Sequence, residues 1–149
     1  MSLTAAEQDE LVAAALEAQK RAYAPYSSFF VGAAIRTRDG RIFTGANVEN
    51  ASYGLTICAE RTAAVGAVTD QAGRALVRTI DGHTSSDWDA VAVASRGGVS
   101  PCGACRQFMM EFAPHMEVFL VDDQTGKVGR FATLAELLPG YFELLPSRI

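Results

Sequence analysis

Ser100-Pro101-Cys102-Gly103-Ala104-Cys105 and the shorter segment Cys58-Ala59-Glu60 together contain every cysteine of the chain. Three thiolates can bind a zinc ion and leave its fourth coordination position open for a water molecule. Glu60 stands two residues after the first thiolate, where a carboxylate could move protons to and from that water. An odd number of cysteines in C-x-E and C-x-x-C patterns indicates metal binding rather than disulfide bonds. The sequence therefore predicts a zinc site formed by Cys58, Cys102 and Cys105.

The chain has 149 residues, of which 49% are apolar and 20% are charged. This length suits one domain, and we expect residues 1–149 to form a single unit. The net charge of −4 and the scattered basic residues argue against binding of nucleic acid, which needs clustered lysine and arginine. A small neutral substrate fits this charge better. Because we find neither a membrane-spanning apolar run nor a secretory signal, we expect no membrane association and a cytoplasmic location.

Apolar periodicity and turn residues predict an alternation of helices and strands. A T-x-x-E capping box at Thr4 opens a helix that must end near Pro25. The other predicted elements are strands 29–37, 41–48, 89–95, 117–121 and 128–131, and helices 57–68 (capped by Thr56), 101–112 and 133–138. Residues 73–87 read as a polar, loop-rich segment. This order predicts an α/β fold, a three-layer α-β-α sandwich in which a mixed five-stranded sheet lies between helices.

Both cysteine segments fall at predicted helix starts, where partial positive charge and free N–H groups lower the pKa of a thiol. Cys102 and Cys105 are three residues apart and share one helix face. Cys58 and Glu60 diverge by about 200° on a regular helix, so both face one metal only if it lies beyond the helix end. We therefore expect the zinc ion between two helix N-termini.

Three thiolates leave a zinc site with roughly one excess negative charge, which weakens the pull of the metal on its water. Arg61 could donate to a thiolate sulfur and offset that charge from outside the ligand set, or it could be an ordinary solvated helix residue. The cluster itself has two other interpretations. One is a closed zinc site completed by His83 or His115, although neither histidine has ligand-like spacing to a cysteine. The other is a group of core cysteines without metal.

The pattern of ligands and glutamate matches the signature of zinc-dependent nucleobase deaminases. Hydrolytic deamination adds water to an amidine-like ring carbon and releases ammonia. Zinc lowers the pKa of bound water toward about 7. One desolvated carboxylate can then pass protons to the ring nitrogen and to the leaving amine. Glu60 is the residue that we assign to this role.

Several linked motifs, covering about residues 20–142, resemble those of the short, homotetrameric cytidine deaminases. They are Pro25-Tyr26-Ser27-Ser28-Phe29-Phe30-Val31-Gly32-Ala33-Ala34, Gly45-Ala46-Asn47-Val48-Glu49-Asn50-Ala51-Ser52-Tyr53, Cys58-Ala59-Glu60-Arg61, Ser100-Pro101-Cys102-Gly103-Ala104-Cys105-Arg106-Gln107 and Leu137-Leu138-Pro139-Gly140. The resemblance implies hydrolysis of cytidine and 2′-deoxycytidine to uridine and 2′-deoxyuridine, as in pyrimidine salvage. It also implies one zinc ion per subunit and a homotetramer with shared active sites.

The same resemblance implies roles for individual residues in nucleoside binding. Phe29 would pack against the pyrimidine, Asn47 and Glu49 would bind the ribose 3′-hydroxyl, and the backbone of Ala59 would contact the base. Three further residues would reach a nucleoside across a subunit boundary, namely Ala51, Tyr53 and Phe142. Taken singly, Phe29 would more often be a core residue, Asn47 and Glu49 a solvated strand end, and Tyr53 a half-buried tyrosine.

Two segments depart from the family pattern. Residues 66–89 are longer than expected, and the segment after Pro139-Gly140 is less polar than expected. Both lie near the expected intersubunit contacts, which leaves substrate range and assembly open. The alternatives are a blasticidin-S-type or other aminopyrimidine nucleoside deaminase and, from other classes, a noncatalytic zinc-stabilised interaction module or a nucleic-acid editor. The acidic charge balance disfavours the editor.

Overall fold

The computed structural model describes residues 2–70, 77–80 and 83–143. The α-helices are α1 (Ala5–Gln19), α2 (Ala59–Thr69) and α3 (Gly103–Met110). The strands are β1 (Gly32–Thr37), β2 (Ile42–Ala46), β3 (Val77–Ile80), β4 (His83–Ser86), β5 (Trp88–Ser95), β6 (Glu117–Asp122) and β7 (Val128–Phe131). Short 3-10 helices cover Tyr53–Leu55 and Leu134–Leu137. None of the described helices is long and apolar enough to span a membrane.

Five strands form one mixed sheet in the order β2-β1-β5-β6-β7. β5 and β6 run parallel, whereas the other neighbouring pairs are antiparallel. Helix α1 packs on one face of this sheet, and α2 and α3 pack on the other. The predicted α/β class, with a mixed five-stranded sheet between helices, is confirmed.

Strand β5 is buried on both faces because small and larger apolar side chains alternate along it. Ala90, Ala92 and Ala94 pack in the cluster with α1, and Val91 and Val93 pack in the cluster with α2 and α3. The alanines leave room for α1 to lie close to the sheet, and the valines fill the space below the other two helices. The central strand thus holds both helical layers at a fixed distance.

At Gly45 the backbone of helix α2 lies against strand β2. A Cβ atom at Gly45 would lie 2.9 Å from the carbonyl oxygen of Ala59, a contact that real side chains essentially never make. Any side chain at this position would therefore push α2 away from β2. Because Ala59 opens α2, this contact fixes the start of the helix beside the end of β2.

Two predicted helix starts are wrong by a few residues. The first helical residue of α2 is Ala59, and its N-cap is Cys58 rather than Thr56. Ile57 cannot be helical because its backbone N–H and C=O both pair with Val48, at 3.0 and 2.9 Å. Similarly, α3 starts at Gly103 with Cys102 as its N-cap, two residues after the predicted start. Each shift places a cysteine at the helix boundary itself.

Other predicted elements also differ in detail from the structure. The capping box of Thr4 is present, since its hydroxyl accepts from the amide of Glu7 at 3.2 Å. Part of the predicted loop 73–87 is instead a two-stranded antiparallel sheet of β3 and β4, and residues 73–76 and 81–82 lie outside the described part. Strand β1 starts three residues later than predicted, because the side chain of Asn47 binds the backbone of residues 29 and 31. The last helix is a single 3-10 turn.

Candidate active site

The three cysteine sulfurs lie in one cluster at the edge of the sheet, with all Sγ atoms within 4.8 Å of one another. Sγ of Cys102 is 3.9 Å from that of Cys58 and 3.4 Å from that of Cys105. Tetrahedral zinc with Zn–S bonds of about 2.3 Å requires sulfurs about 3.8 Å apart. The spacing and the donor set therefore fit a zinc ion.

Two helix N-termini meet at this cluster. Cys58 is the N-cap residue of α2, Cys102 is the N-cap residue of α3, and Cys105 lies in the first turn of α3. The partial positive charge of both helix ends therefore points at the sulfurs and favours their thiolate form. Cys105 is buried and Cys102 is exposed, so the cluster is covered on one side and reachable from the other.

The pKa of the Cys58 thiol is lowered to about 5, because Cys105 donates a hydrogen bond to its sulfur and the guanidinium of Arg61 donates another. Nη2 of Arg61 lies 3.4 Å from that sulfur. The pKa of Cys105 is raised, because its proton is held by Cys58 and its thiol is buried. Metal ligands must be deprotonated, so one cysteine is already prepared for zinc and the shared proton leaves when the metal binds.

Glu60 lies beside the cluster and is only 4% exposed. Burial is the main cause that raises the pKa of its carboxyl group, and the neighbouring Cys58 thiolate adds to it. A buried carboxyl group with a raised pKa, placed in a cleft, is suited to exchanging protons with a reacting molecule.

A cavity of about 390 Å³ connects Glu60 and the sulfurs to a mixed polar and apolar wall. Its volume lies in the usual range for small-molecule sites. Most of the residues that sequence reasoning selected line it, namely Phe29, Asn47, Glu49, Cys58, Ala59, Glu60 and Cys102. It is also lined by residues to which the sequence assigned no role, including Ser27, Val93, Ser95 and Val99.

Asn47 and Glu49 hold the cavity wall through their side chains. Asn47 accepts from the amide of Val31 at 2.9 Å and donates to the carbonyl of Phe29 at 2.8 Å. Glu49 accepts from the hydroxyl of Ser27 at 2.5 Å and from the same residue's amide at 3.2 Å. These contacts lower the pKa of Glu49, the hydroxyl contributing most. Both side chains therefore shape the loop that carries Phe29 as well as facing the cavity.

Besides Cys105 and Arg61, which belong to or contact the sulfur cluster, three of the selected residues do not line this cavity in the single chain. Ala51 is exposed, as are Tyr53 at 73% and Phe142 at 69%. The ring of Tyr53 packs edge-on against Tyr26, with 5.7 Å between the ring centroids. The backbone carbonyl of Phe142 accepts a hydrogen bond from Gln107 at 2.9 Å. In the single chain both large rings are therefore exposed, and neither lines the cavity.

His115, one of the two histidines considered for a closed zinc site, is not part of the cluster. Nε2 of His115 is 3.1 Å from the carbonyl oxygen of Trp88, which begins the central strand β5, whereas Cys102 follows the end of that strand. The backbone of His83 lies in β4. Within the described residues, the cluster of metal-binding atoms has no fourth side chain. The described side chains therefore offer a zinc ion three ligands at this cluster, which lines the cavity through Cys58 and Cys102.

Comparison with known proteins identifies this arrangement. The sequence pattern of the cytidine and deoxycytidylate deaminase zinc-binding region matches residues 5–121. The chain belongs to the cytidine and deoxycytidylate deaminase family. The matched region is a zinc-binding one, and the cluster of three sulfurs described above is compatible with that metal.

Relatives of this deaminase-family chain match it over most of its length. A cytidine deaminase of Halalkalibacterium halodurans is 43% identical over 136 residues, covering 91% of this chain and 94% of the relative. The crystal structure of a cytidine deaminase from Burkholderia pseudomallei has a TM-score of 0.78 and 43% identity, covering 94% of this chain and 100% of that one. A blasticidin-S deaminase of Bacillus cereus is 36% identical over 109 residues, covering 73% of this chain and 74% of the relative.

Proposed function

We propose that this chain is a zinc-dependent cytidine deaminase that hydrolyses cytidine and 2′-deoxycytidine to uridine and 2′-deoxyuridine with release of ammonia. The observation that carries the proposal is the opening of the three-sulfur cluster and the buried Glu60 into one nucleoside-sized cavity. The names of the relatives support the same activity. The catalytic unit is one domain, residues 1–149.

In the proposed reaction, water adds to the ring carbon that bears the amino group, and that group leaves as ammonia. Cys58, Cys102 and Cys105 would hold a zinc ion, which would supply Lewis-acid activation of the water at neutral pH. Glu60 accepts the proton that the water gives up and passes it to the adjacent ring nitrogen. The same carboxylate then takes the remaining proton from the added hydroxyl group, as the carbonyl forms, and delivers it to the leaving amine. The raised pKa of Glu60 supports this role, because the carboxyl group must hold a proton as readily as it releases one.

The polar wall of the cavity suits a neutral sugar. Asn47 still has one amide N–H beyond the hydrogen bond that it donates to Phe29, and Glu49 is an ionised acceptor. An amide donor and a carboxylate acceptor together can bind a hydroxyl group, which is the 3′-hydroxyl in this proposal. A site of this kind strongly rejects substrates that lack the hydroxyl. Because the 2′-hydroxyl is not bound, both sugars are accepted.

The charge of the cavity favours nucleosides over the nucleotides that the family name also includes. Glu49 and Glu60 are the charged residues among the described side chains that line it, and both are acidic. A 5′-phosphate carries about two negative charges and would find neither lysine nor arginine there. We therefore propose that deoxycytidylate is a poor substrate.

Exposed apolar side chains near the site support assembly into a homotetramer. Tyr53, Leu55 and Phe142 are each more than 60% exposed. Exposed apolar side chains that lie together mark interaction surfaces, and Tyr53 and Leu55 belong to the same 3-10 turn. In the proposed assembly, Ala51, Tyr53 and Phe142 reach the active site of a neighbouring subunit. Free thiols as zinc ligands also suit a reducing compartment such as the cytoplasm.

A mixing experiment tests the shared site. Glu60→Ala subunits lack the proton carrier, and Phe142→Ala subunits lack the ring that a neighbour would receive. Co-expression of the two variants should restore activity above that of either variant alone, because an intact Glu60 then meets an intact Phe142. Activity no greater than the average of the two homo-oligomers would contradict shared sites.

A panel of substrates tests the activity. Zinc-loaded protein is given cytidine, 2′-deoxycytidine, cytosine, deoxycytidylate and blasticidin S, and ammonia release is measured. We expect both nucleosides to react at similar rates and the free base and the nucleotide to react poorly. Preference for blasticidin S would support that alternative, which the Bacillus cereus relative represents. Absence of ammonia from every compound would overturn the proposal.

Metal coordination separates the enzyme from a noncatalytic zinc-stabilised module. X-ray absorption at the zinc edge should report three sulfur ligands and one lighter atom that is replaced when a nucleoside inhibitor binds. Four protein ligands would favour the module, because a saturated structural site has no position for substrate.

A further inference from the structure

Arg106 joins two segments that are distant in the sequence. Its Nε donates to the carbonyl of Pro101 at 2.7 Å, and its Nη2 donates to the hydroxyl of Ser100 at 2.8 Å. Its Nη1 donates to the carbonyl of Leu137 at 2.6 Å. The first two acceptors lie directly before Cys102, and the third lies at the end of the second 3-10 helix. One planar cation therefore bridges the zinc-ligand turn and the C-terminal segment.

The next residue along α3, Gln107, also binds the C-terminal segment. Gln107 donates from its side chain to the carbonyl of Phe142 at 2.9 Å. Consecutive residues of α3 thus hold both ends of segment 137–142. Helix α3 also supplies Cys105, and its N-cap is Cys102. The helix that presents two thiolates is therefore the platform on which the C-terminal segment rests.

We propose that Arg106 is a positioning residue that couples the turn carrying Cys102 to the C-terminal segment carrying Phe142. Hydrogen bonds from a guanidinium are short and roughly twice as strong as neutral ones. The fixed fork of arginine reaches three acceptors at once, which the single ammonium group of lysine does not reproduce. Loss of the fork should loosen both the zinc-ligand turn and the C-terminal segment, whereas loss of Gln107 should loosen the segment alone.

Four variants test this coupling: Arg106→Ala, Arg106→Lys, Gln107→Ala and the control Arg96→Ala. Arg96 is an exposed arginine on the loop before the same turn. Each protein is loaded with zinc, and the rate of zinc transfer to a chelator and the KM for cytidine are measured. We expect Arg106→Ala to release zinc about tenfold faster and to have a KM about tenfold higher. Arg106→Lys should remain defective in both, and Gln107→Ala should raise KM only.

Several results would overturn the coupling. They are an Arg106→Ala protein that matches Arg96→Ala in both measurements, an Arg106→Ala protein that changes in only one of them, and an Arg106→Lys protein that behaves as wild type. If Arg106→Ala does not fold, Ser100→Ala removes one of the bridging contacts and should still speed zinc release; an unchanged rate would then overturn the coupling. The effect on KM rests on the proposed function. Zinc release does not, so an inactive wild-type protein would refute the activity and leave the zinc measurement to decide the coupling.

Discussion

Nη2 of Arg61 lies 3.4 Å from the sulfur of Cys58, one helical turn further along α2. This is the contact expected of a cation that offsets the charge of a three-thiolate zinc site. The same contact favours the charged form of Arg61, because it raises the pKa of the guanidinium. The arginine and the hydrogen bond from Cys105 together stabilise the Cys58 thiolate before any metal binds.

Arg61→Gln should raise the pKa of Cys58 from about 5 toward its ordinary value, because the thiolate loses its neighbouring cation. Protons then compete better for the sulfur, and zinc affinity at neutral pH should fall about tenfold. Thiolate absorbance of the metal-free protein measures the first effect, and competition with a chromophoric chelator measures the second. Arg96→Gln is the matched control. An unchanged Cys58 titration in Arg61→Gln would show that the arginine does not tune the site.

Asn47→Ala should raise the KM for cytidine about tenfold or more, because two hydrogen bonds that shape the loop of Phe29 are lost together with the proposed sugar contact. Zinc content should stay at one ion per chain, since Asn47 lies outside the sulfur cluster. Steady-state kinetics and metal analysis check the two statements. Asn50→Ala, which removes an exposed asparagine from the same segment, is the control. Nucleoside kinetics equal to those of wild type would contradict the role of Asn47.

Ser27→Ala should raise the pKa of Glu49 toward its ordinary value of 4.5, because the hydroxyl of Ser27 is the main cause that lowers it. A carboxyl group whose pKa is lowered by folding contributes stability above its unfolded pKa and loses it as the pH falls through the folded pKa. The proposed sugar contact also needs the ionised form of Glu49. As the pH falls, Ser27→Ala should therefore lose nucleoside binding at a higher pH than wild type does. NMR titration of the Glu49 carboxyl carbon checks the shift. Ser28→Ala is the adjacent control, and a shift of equal size in both variants would contradict the assignment.

Gly45→Ala should destabilise the fold by about 1–3 kcal/mol, because its methyl group overlaps the first turn of α2. Gly66→Ala is the matched control on the exposed side of that helix. A Cβ at Gly66 meets nothing within 4 Å, so this change should stabilise the protein by about 0.5–1 kcal/mol. Chemical denaturation measures both. Equal effects of the two substitutions would show that α2 does not rest on Gly45.

Features set by neighbouring residues could be predicted from the sequence. The capping box of Thr4 is such a local pattern, and it is present in the structure. The predicted starts of α2 and α3 are two residues too early, because threonine and serine are preferred N-cap residues and Thr56 and Ser100 precede the predicted helices. The backbone pairing of Ile57 with Val48 outweighs that local preference and moves the helix start to the cysteine. The pairing joins segments that meet only in the folded chain, so no local pattern reports it.

Part of the proposed site could also be predicted, because some of its residues belong to short local patterns. The cysteines and Glu60 could be selected because their spacing is short and their chemistry is specific. The three contacts of Arg106 could not, because Leu137 is 31 residues away and an arginine after a cysteine has many possible partners. The exposed position of Phe142 also depends on tertiary structure, through the hydrogen bond from Gln107 to its carbonyl.

The most direct test of the proposed chemistry compares ammonia release from cytidine by wild type and by Glu60→Gln, each carrying one zinc ion per chain. Glu10→Gln, on the exposed face of α1, controls for the loss of a carboxylate. We expect wild type and the control to turn over cytidine equally. Glu60→Gln should keep its zinc and lose activity by at least about a hundredfold, because the proton carrier is gone. Turnover by Glu60→Gln at the wild-type rate, or no ammonia from wild type, would contradict the proposed mechanism.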